Sequence, residues 1–526
     1  MFKAYEKEAL KGSEERYFDK ENCYEEDSCF YADRRFVLFV TGCTKKVDNS
    51  ENTLEIAYYD AGYGYEFIER WGEKFESSHP GVSVVLSKSS DVDPKDLLSA
   101  GPGGNSVDLF IHGTVFNSYA YMGEKMLKGY DCVLEPIDDV LESKIDGETV
   151  YDRFMDGYEP KKVNGHYYSF SWATGMTGLV YNATKFDRAG YEVPNTTDEL
   201  LKLCGEIKGD GEIPFVFSSA TGYWTYLRNV WYMQYQGVDG MIDFFNGIDD
   251  GSYSRDIFLQ QGRLVSLETL DSLINAEKKY NHGSVNTLTF TQAQAQLILG
   301  NGLMMVNGDW LENEMKSVED EDENKYTFRM MNTPVVSAII EKCETIADDA
   351  TLSRVIDYVD GNLDRSEIAD VSEADIARID EARHCRHSIG GQHTVGIPVY
   401  ATAKELAKEF LKYMATDEAQ QIYMDCTSGN MLPFKYDIEK NAGLWEKKSD
   451  YSKSIYALTE GAIYYGGDGN AINGLSDWTG GRENPEIFFT AQNAADRKTP
   501  KQIFDEEYAY WTVEKWNLLL KSAGLL

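Results

Sequence analysis

The sequence predicts an α/β chain folded as two lobes, and three observations lead to that expectation. A strand, a helix and a second strand open its regular part, and a helix, turn, strand and turn follow one another over Phe290–Met315. The chain's 526 residues also exceed what a single hydrophobic core holds, leaving room for two lobes plus insertions.

The elements follow from residue spacing. Leu54, Ile56 and Tyr58 alternate as in a strand. Phe67, Trp71 and Phe75 recur every fourth residue, predicting a helix ended by His79-Pro80-Gly81, and Val82–Leu86 reads as the next strand. A right-handed crossover makes the two strands parallel and puts the Asp60–Tyr65 turn at the ligand end of their sheet. Leu200, Leu203, Cys204 and Ile207 share one helical face, so Cys204 reads as a buried thiol.

In Phe290–Met315 (FTQAQAQLILGNGLMMVNGDWLENEM), Thr291 with Gln294 forms a capping box, and Gly300 and Gly302 end the helix. Leu303–Val306 is a short apolar run suited to a strand buried on both faces. Asn307, Gly308 and Asp309 break it. Trp310 opens the next helix at the strand's carboxyl end, where it serves either as a flat ring beside free backbone N–H groups or as core. Further on, Glu319–Glu323 reads as a solvated acidic loop, and residues 339–387 as a helical insertion in which Ser372 and Asp375 mark a helix start. Ala407, Phe410, Leu411 and Met414 form a later helical stripe.

Composition excludes some functions. The 88 acidic against 51 basic residues give a formal charge of −37, which repels phosphate backbones and argues against nucleic acid as a partner. The chain holds 35 tyrosines and 9 tryptophans, side chains that pack ring faces on sugar C–H surfaces while their polar tips hydrogen-bond. Gly62-Tyr63-Gly64 follows a strand as a dinucleotide fingerprint would, but Phe67 stands where the third glycine belongs. No phosphate loop, His-Glu-x-x-His or Gly-x-Ser-x-Gly motif occurs. His384, Cys385, His387 and His393 lack zinc spacing, and no metal or other cofactor is expected. The cysteines show no paired motif.

Arg34 and Arg35 precede an apolar run ending at Cys43, the pattern of a bacterial lipoprotein signal whose cysteine is lipidated. The run is at the short limit for such a signal, and an acidic, Tyr-rich stretch precedes it. Residues 1–43 are thus read as leader and signal, and 44–52 as a polar tether. No run reaches the ~20 apolar residues of a membrane span, so attachment to a membrane would be through lipid.

Several segments together resemble one family. Tyr58–Val84 resembles its first strand, binding turn, helix and second strand. Val107–Gly113 (VDLFIHG), Val163–Tyr168 (VNGHYY), Gly178–Asn182 (GLVYN), Val193–Leu203 (VPNTTDELLKL) and Ala407–Gln420 (AKEFLKYMATDEAQ) are similar to its later motifs, in the family's order. Phe290–Met315 resembles its signature, in which the tryptophan stacks on sugar. The family is that of the extracellular solute-binding proteins, the maltodextrin-binding-like carbohydrate receptors of bacterial ABC importers.

That resemblance implies a two-lobed periplasmic-binding-protein fold with a hinge and central cleft. Residues 53–168 and 327–437 would form the first lobe, and 169–326 and 438–526 the second. It implies a monomeric, non-enzymatic lipoprotein at the extracellular face of the cytoplasmic membrane, passing an oligosaccharide to permease subunits. Site residues carried over are Trp310 as stacking platform, Asp309 as hydroxyl acceptor, Tyr223 with neighbouring Trp224, Asp60 and Tyr63 in the first turn, His112 after its strand, Trp172 near the hinge, Asn430 in a late loop and Trp478 in a Gly-rich loop. Core packing is the competing reading of Trp172 and Trp224, and a strand-end structural role that of Asp108. A glycoside hydrolase, needing only two well-placed carboxylates, is the enzymatic alternative. A receptor for another small solute, or a sensor on the same scaffold, is the other.

Overall fold

The computed structural model describes residues 51–526 apart from 61, 90–91, 114–126, 128, 164, 322–324, 439–441, 465–483 and 523–524. Its two larger sheets are built from β1 (Thr53–Tyr58), β2 (Ser83–Lys88), β3 (Leu109–His112), β4 (Met176–Asn182), β5 (Met304–Gly308), β6 (Phe328–Met331), β7 (Cys385–Ser388), β8 (Thr394–Gly396) and β9 (Ile463–Tyr464). Both lie within one unit, Asn49–Leu526.

The first sheet has the order β8-β3-β1-β2. β1 runs parallel to β2, from Thr53 opposite Ser83 to Tyr58 opposite Lys88, as the crossover argument requires. The connecting helix, Glu66–Ser78, buries Phe67, Ile68, Trp71 and Phe75 against the sheet. Each such side chain contributes roughly 1.5–3 kcal/mol of burial free energy. The Trp71 indole N–H also donates to the carbonyl of Ala419 at 3.0 Å, tying this helix to Asp417–Cys426.

In the second sheet β4 is central and buried along its whole length. β5 pairs with Thr177–Tyr181, while β6 and β7 take successive parts, Leu179–Asn182 and Met176–Thr177, all antiparallel. The expected lobe division gave residues 327–437 to the first lobe, but the pairing of β6 and β7 puts them in the second sheet. The helices between them, Asp349–Val359 and Glu373–His384, bury Leu352, Val355, Ile356 and Ile379 in the same core as Leu200, Leu203 and Cys204. The expected insertion is therefore part of the second core, and the chain regains the first sheet only at β8. Ser372 does cap the second of these helices.

Local corrections are smaller. The capping box uses Thr289 and Gln292, not Thr291 and Gln294, because two Thr-x-x-Gln frames overlap there. That choice leaves Gln294 to turn inward, fully buried. Glu319–Glu321 are the last turn of the helix Leu311–Glu321 and not loop; Asp322 and Glu323 lie outside the described residues.

Two segments cross between the sheets side by side. Trp172 N–H donates to the His393 carbonyl at 2.9 Å, Val395 N–H to Phe170 at 3.0 Å, and Ile389 N–H to Gly175 at 2.9 Å. Gly175 permits this approach. It has φ +56°, and a Cβ there would lie 2.5 Å from the backbone nitrogen of Gly390.

Candidate functional site

The turn after β1 and the turn after β5 face each other at the carboxyl ends of their strands. Tyr63 Oη donates to Asp309 Oδ1 at 2.7 Å, and Thr174 Oγ1 donates to Asp309 Oδ2 at 2.8 Å, joined there by the Met176 N–H at 3.2 Å. Asn313 Nδ2 donates to the Gly62 carbonyl at 2.7 Å, a second bond between the sheets. Asp309 is only 3% exposed. Burial pushes its carboxyl up to about 6, although these hydrogen bonds pull the other way. Both of its oxygens are engaged, so in this arrangement it is not the free hydroxyl acceptor that was expected.

Trp310 is 4% exposed and packed between the lobes. Its ring lies on Gly308, where any Cβ would run into it, and meets Tyr63 and Tyr223 edge-on at 6.4 and 6.2 Å. Glycine before the tryptophan is what lets the indole fold back over its own strand.

Beside this buried contact lies a half-exposed ring of side chains. Tyr59 comes from the first lobe, and Tyr223, Tyr226, Phe290 and Glu314 from the second. Tyr223 packs on Phe290 at 4.4 Å and on Tyr226 at 4.9 Å, and Tyr226 stacks on His387 at 4.8 Å. The Tyr223 and Tyr226 hydroxyls lie close enough to influence each other's proton affinity. Gln294 Nε2 donates to Glu314 Oε2 at 2.6 Å. Burial raises the Glu314 carboxyl, and burial also raises Tyr59 and Tyr223, with the Glu314 charge adding to both. Asp60, at the rim, pairs with Lys88 at 2.7 Å.

Other expected residues are placed elsewhere. Trp172 is fully buried, its indole N–H donating to the His112 carbonyl at 2.9 Å, and Trp224 lies in the second core edge-on to Phe215 and Phe217. Both are packing residues here, because an apolar ring beside a crossing or a central strand gains more from the core than from the cleft. His112 is buried with Nε2 at 3.0 Å from the Ser89 carbonyl, and burial holds its pKa down. Asp108 accepts the backbone N–H groups of Glu55, Thr402 and Ala403, a strand-end structural role. Asn430 is buried after Gly429 (φ +107°), its Nδ2 without a partner. His387 and His393 are both buried, which pushes each down to about 4. Trp478 and Cys43 lie outside the described residues.

Sequence reasoning missed Glu314, Gln294, Tyr59 and Tyr226. A helical signal for two of them was available, since Glu314 is one turn beyond Trp310 and Tyr226 one turn beyond Tyr223.

Two sheets, joined by paired crossings and meeting through the turns at their strand ends, define a two-lobed solute-binding fold. A family model described as bacterial extracellular solute-binding protein matches residues 61–339, over half of the chain, and the chain belongs to that family. It is 28% identical over 294 residues to the Diacetylchitobiose binding protein NgcE of Streptomyces coelicolor, covering 54% of this chain and 57% of that relative. It is 30% identical over 154 residues to the Multiple sugar-binding protein of Streptococcus mutans, covering 28% of this chain and 35% of that one. The matched parts thus fall short of two thirds of either relative's length. Among solved structures, a chitin oligosaccharide binding protein shares the fold with a TM-score of 0.59 at 16% identity, over 90% of this chain and 99% of that one. The binding protein RafE in complex with raffinose does so with a TM-score of 0.53 at 16% identity, over 88% and 99%.

Proposed function

We propose that this chain is the substrate-binding subunit of an ABC importer and captures an oligosaccharide between its two lobes. The observation that carries the reading is the half-exposed ring of Tyr59, Tyr223, Tyr226, Phe290 and Glu314, drawn from both lobes beside the Tyr63–Asp309 contact. Ring faces suit the C–H surfaces of a pyranose, and a carboxylate accepts its hydroxyls. The names of the matched relatives, which bind sugars, support the same class.

Ligand favours closure because it touches both lobes and so binds the closed arrangement better. In this reading Tyr63, Asp309 and Trp310 form the contact that closes beside the sugar and holds the lobes in the ligand-bound arrangement. Tyr223 and Asp60 line the entrance, and Asn430, with a spare amide donor, belongs to the late loop that faces the cleft. The protein acts as a monomer, without cofactor or turnover, held by a lipid on Cys43 at the extracellular face of the membrane, where it meets its permease. Against a hydrolase, Asp309 has both oxygens spent on protein donors, so in this arrangement it is not free to serve as one of the two carboxylates such an enzyme uses.

The test is a calorimetric titration of the full chain with glucose, N-acetylglucosamine, xylose and galactose oligomers, with reducing ends assayed in the same samples. Saturable binding without new reducing ends is expected. New reducing ends would establish the hydrolase, and silence across the panel would point to another solute.

A further inference from the structure

The half-exposed ring holds a carboxylate whose neighbours do not neutralise it. Glu314 receives one hydrogen bond, from Gln294 Nε2 at 2.6 Å, and the groups that sense its charge include the hydroxyls of Tyr59, Tyr223 and Tyr451. No Lys, Arg or His acts on it among the described residues: burial and the Gln294 bond are what set its proton affinity. The nearby base, Lys88, is committed to Asp60.

Gln294 adds an independent sign. It is fully buried, and its Oε1 has no partner. The amide cannot be turned over to cure this, because Oε1 would then face the Glu314 carboxylate. An acceptor-rich pair, Glu314 with Gln294, therefore sits among aromatic faces. The Tyr223 hydroxyl, which could have supplied a donor, makes no hydrogen bond to the carboxylate, whose one donor is Gln294.

An anion with no counter-charge, ringed by tyrosines, complements a cation. An ammonium carries three donors and no acceptor, gains a charge-assisted hydrogen bond from the carboxylate, and is attracted to ring faces. A neutral hydroxyl satisfies the same acceptors without the charge term, whereas a uronate would be repelled. We propose that Glu314 is a specificity-determining residue that makes the cleft prefer a sugar unit carrying a protonated primary amine over its neutral counterpart. This inference rests on the sugar-binding reading above.

The experiment titrates the full chain with glucosamine, glucose and galacturonic acid oligomers of equal length, at neutral pH and low salt. Glucosamine oligomers are expected to bind at least tenfold more tightly than glucose oligomers, and galacturonic acid oligomers more weakly than either. Glu314→Gln keeps the shape of the side chain; it should remove the glucosamine preference, bringing the affinities for glucosamine and glucose oligomers within about twofold of each other. Wild type supplies an arm that needs no variant: raising salt should erode the glucosamine preference and leave glucose binding unchanged. Equal affinity for glucose and glucosamine oligomers, or a preference that persists in Glu314→Gln or is indifferent to salt, would overturn the proposal and leave the sugar receptor standing. Failure of every sugar to bind would instead remove the reading on which it rests.

Discussion

Two neighbouring regions of the interlobe face use the same residue types to opposite ends. Between the lobes, Tyr63, Asp309 and Trp310 are buried; Tyr63 and Thr174 donate to the Asp309 carboxylate, and Trp310 packs edge-on to Tyr63. Beside it, Tyr59, Tyr223, Tyr226 and Glu314 are half-exposed, and Gln294, which donates to Glu314, has an Oε1 without a partner. Residue identity does not separate the two regions; saturation does. Groups whose hydrogen bonds are spent internally position the lobes, and groups with unspent capacity are left for a ligand.

The largest effect should come from the saturated region. Trp310→Ala empties a packed site between the lobes and should lower stability by about 3–5 kcal/mol, read as a drop in the urea midpoint. A loss below 1 kcal/mol would mean that the indole is free to face ligand, and would erase the contrast. Asp309→Ala comes next, since it strands the Tyr63 and Thr174 hydroxyls and the Met176 N–H; about 3 kcal/mol is expected from the same denaturation.

The pH dependence sharpens the same point. Asp309 has its pKa raised to about 6 in the folded chain, so the folded state holds this proton more tightly than the unfolded one. The stability it adds is fully present below the usual carboxylate range and is lost as pH rises through 6. Asp309→Asn should therefore flatten the decline in urea midpoint between pH 4 and about 7 relative to wild type. An unchanged slope would show that the carboxyl is not buried as described.

In the unsaturated region the readout changes from stability to affinity. Tyr223→Ala should weaken oligosaccharide binding about tenfold, or about 1.4 kcal/mol, with the urea midpoint moved much less than in Trp310→Ala. Smallest is the rim pair. Lys88→Ala, which removes this ion pair, should change stability by less than about 1 kcal/mol because both side chains are solvent-accessible.

Much of this architecture was legible before the fold was seen. Period-two and period-four patterns located β1, its helix and β2; the apolar run Leu303–Val306 located β5, but the strand runs on through Asn307 and Gly308, which pair with β4, so the expected break comes only at Asp309. The lobe boundary was misjudged because β6 and β7 are short strands whose sheet is decided by long-range pairing with β4, which local patterning does not encode. The site was half legible. An aromatic at a strand's carboxyl end marks a binding turn, but whether Trp310, Trp172 or Trp224 faces core or cleft depends on what packs against it from far along the chain. The pairing of Glu314 with Gln294 was invisible for the same reason: it follows from two helices meeting, 20 residues apart in sequence.

The most direct test is hydrogen–deuterium exchange of the full chain, with and without an oligosaccharide that the calorimetric panel shows to bind. Capture between two lobes predicts slower exchange in both Tyr59–Tyr65 and Asn307–Glu314 on adding sugar, although the two segments belong to different sheets. Protection confined to one of them, or found only outside both, would contradict it.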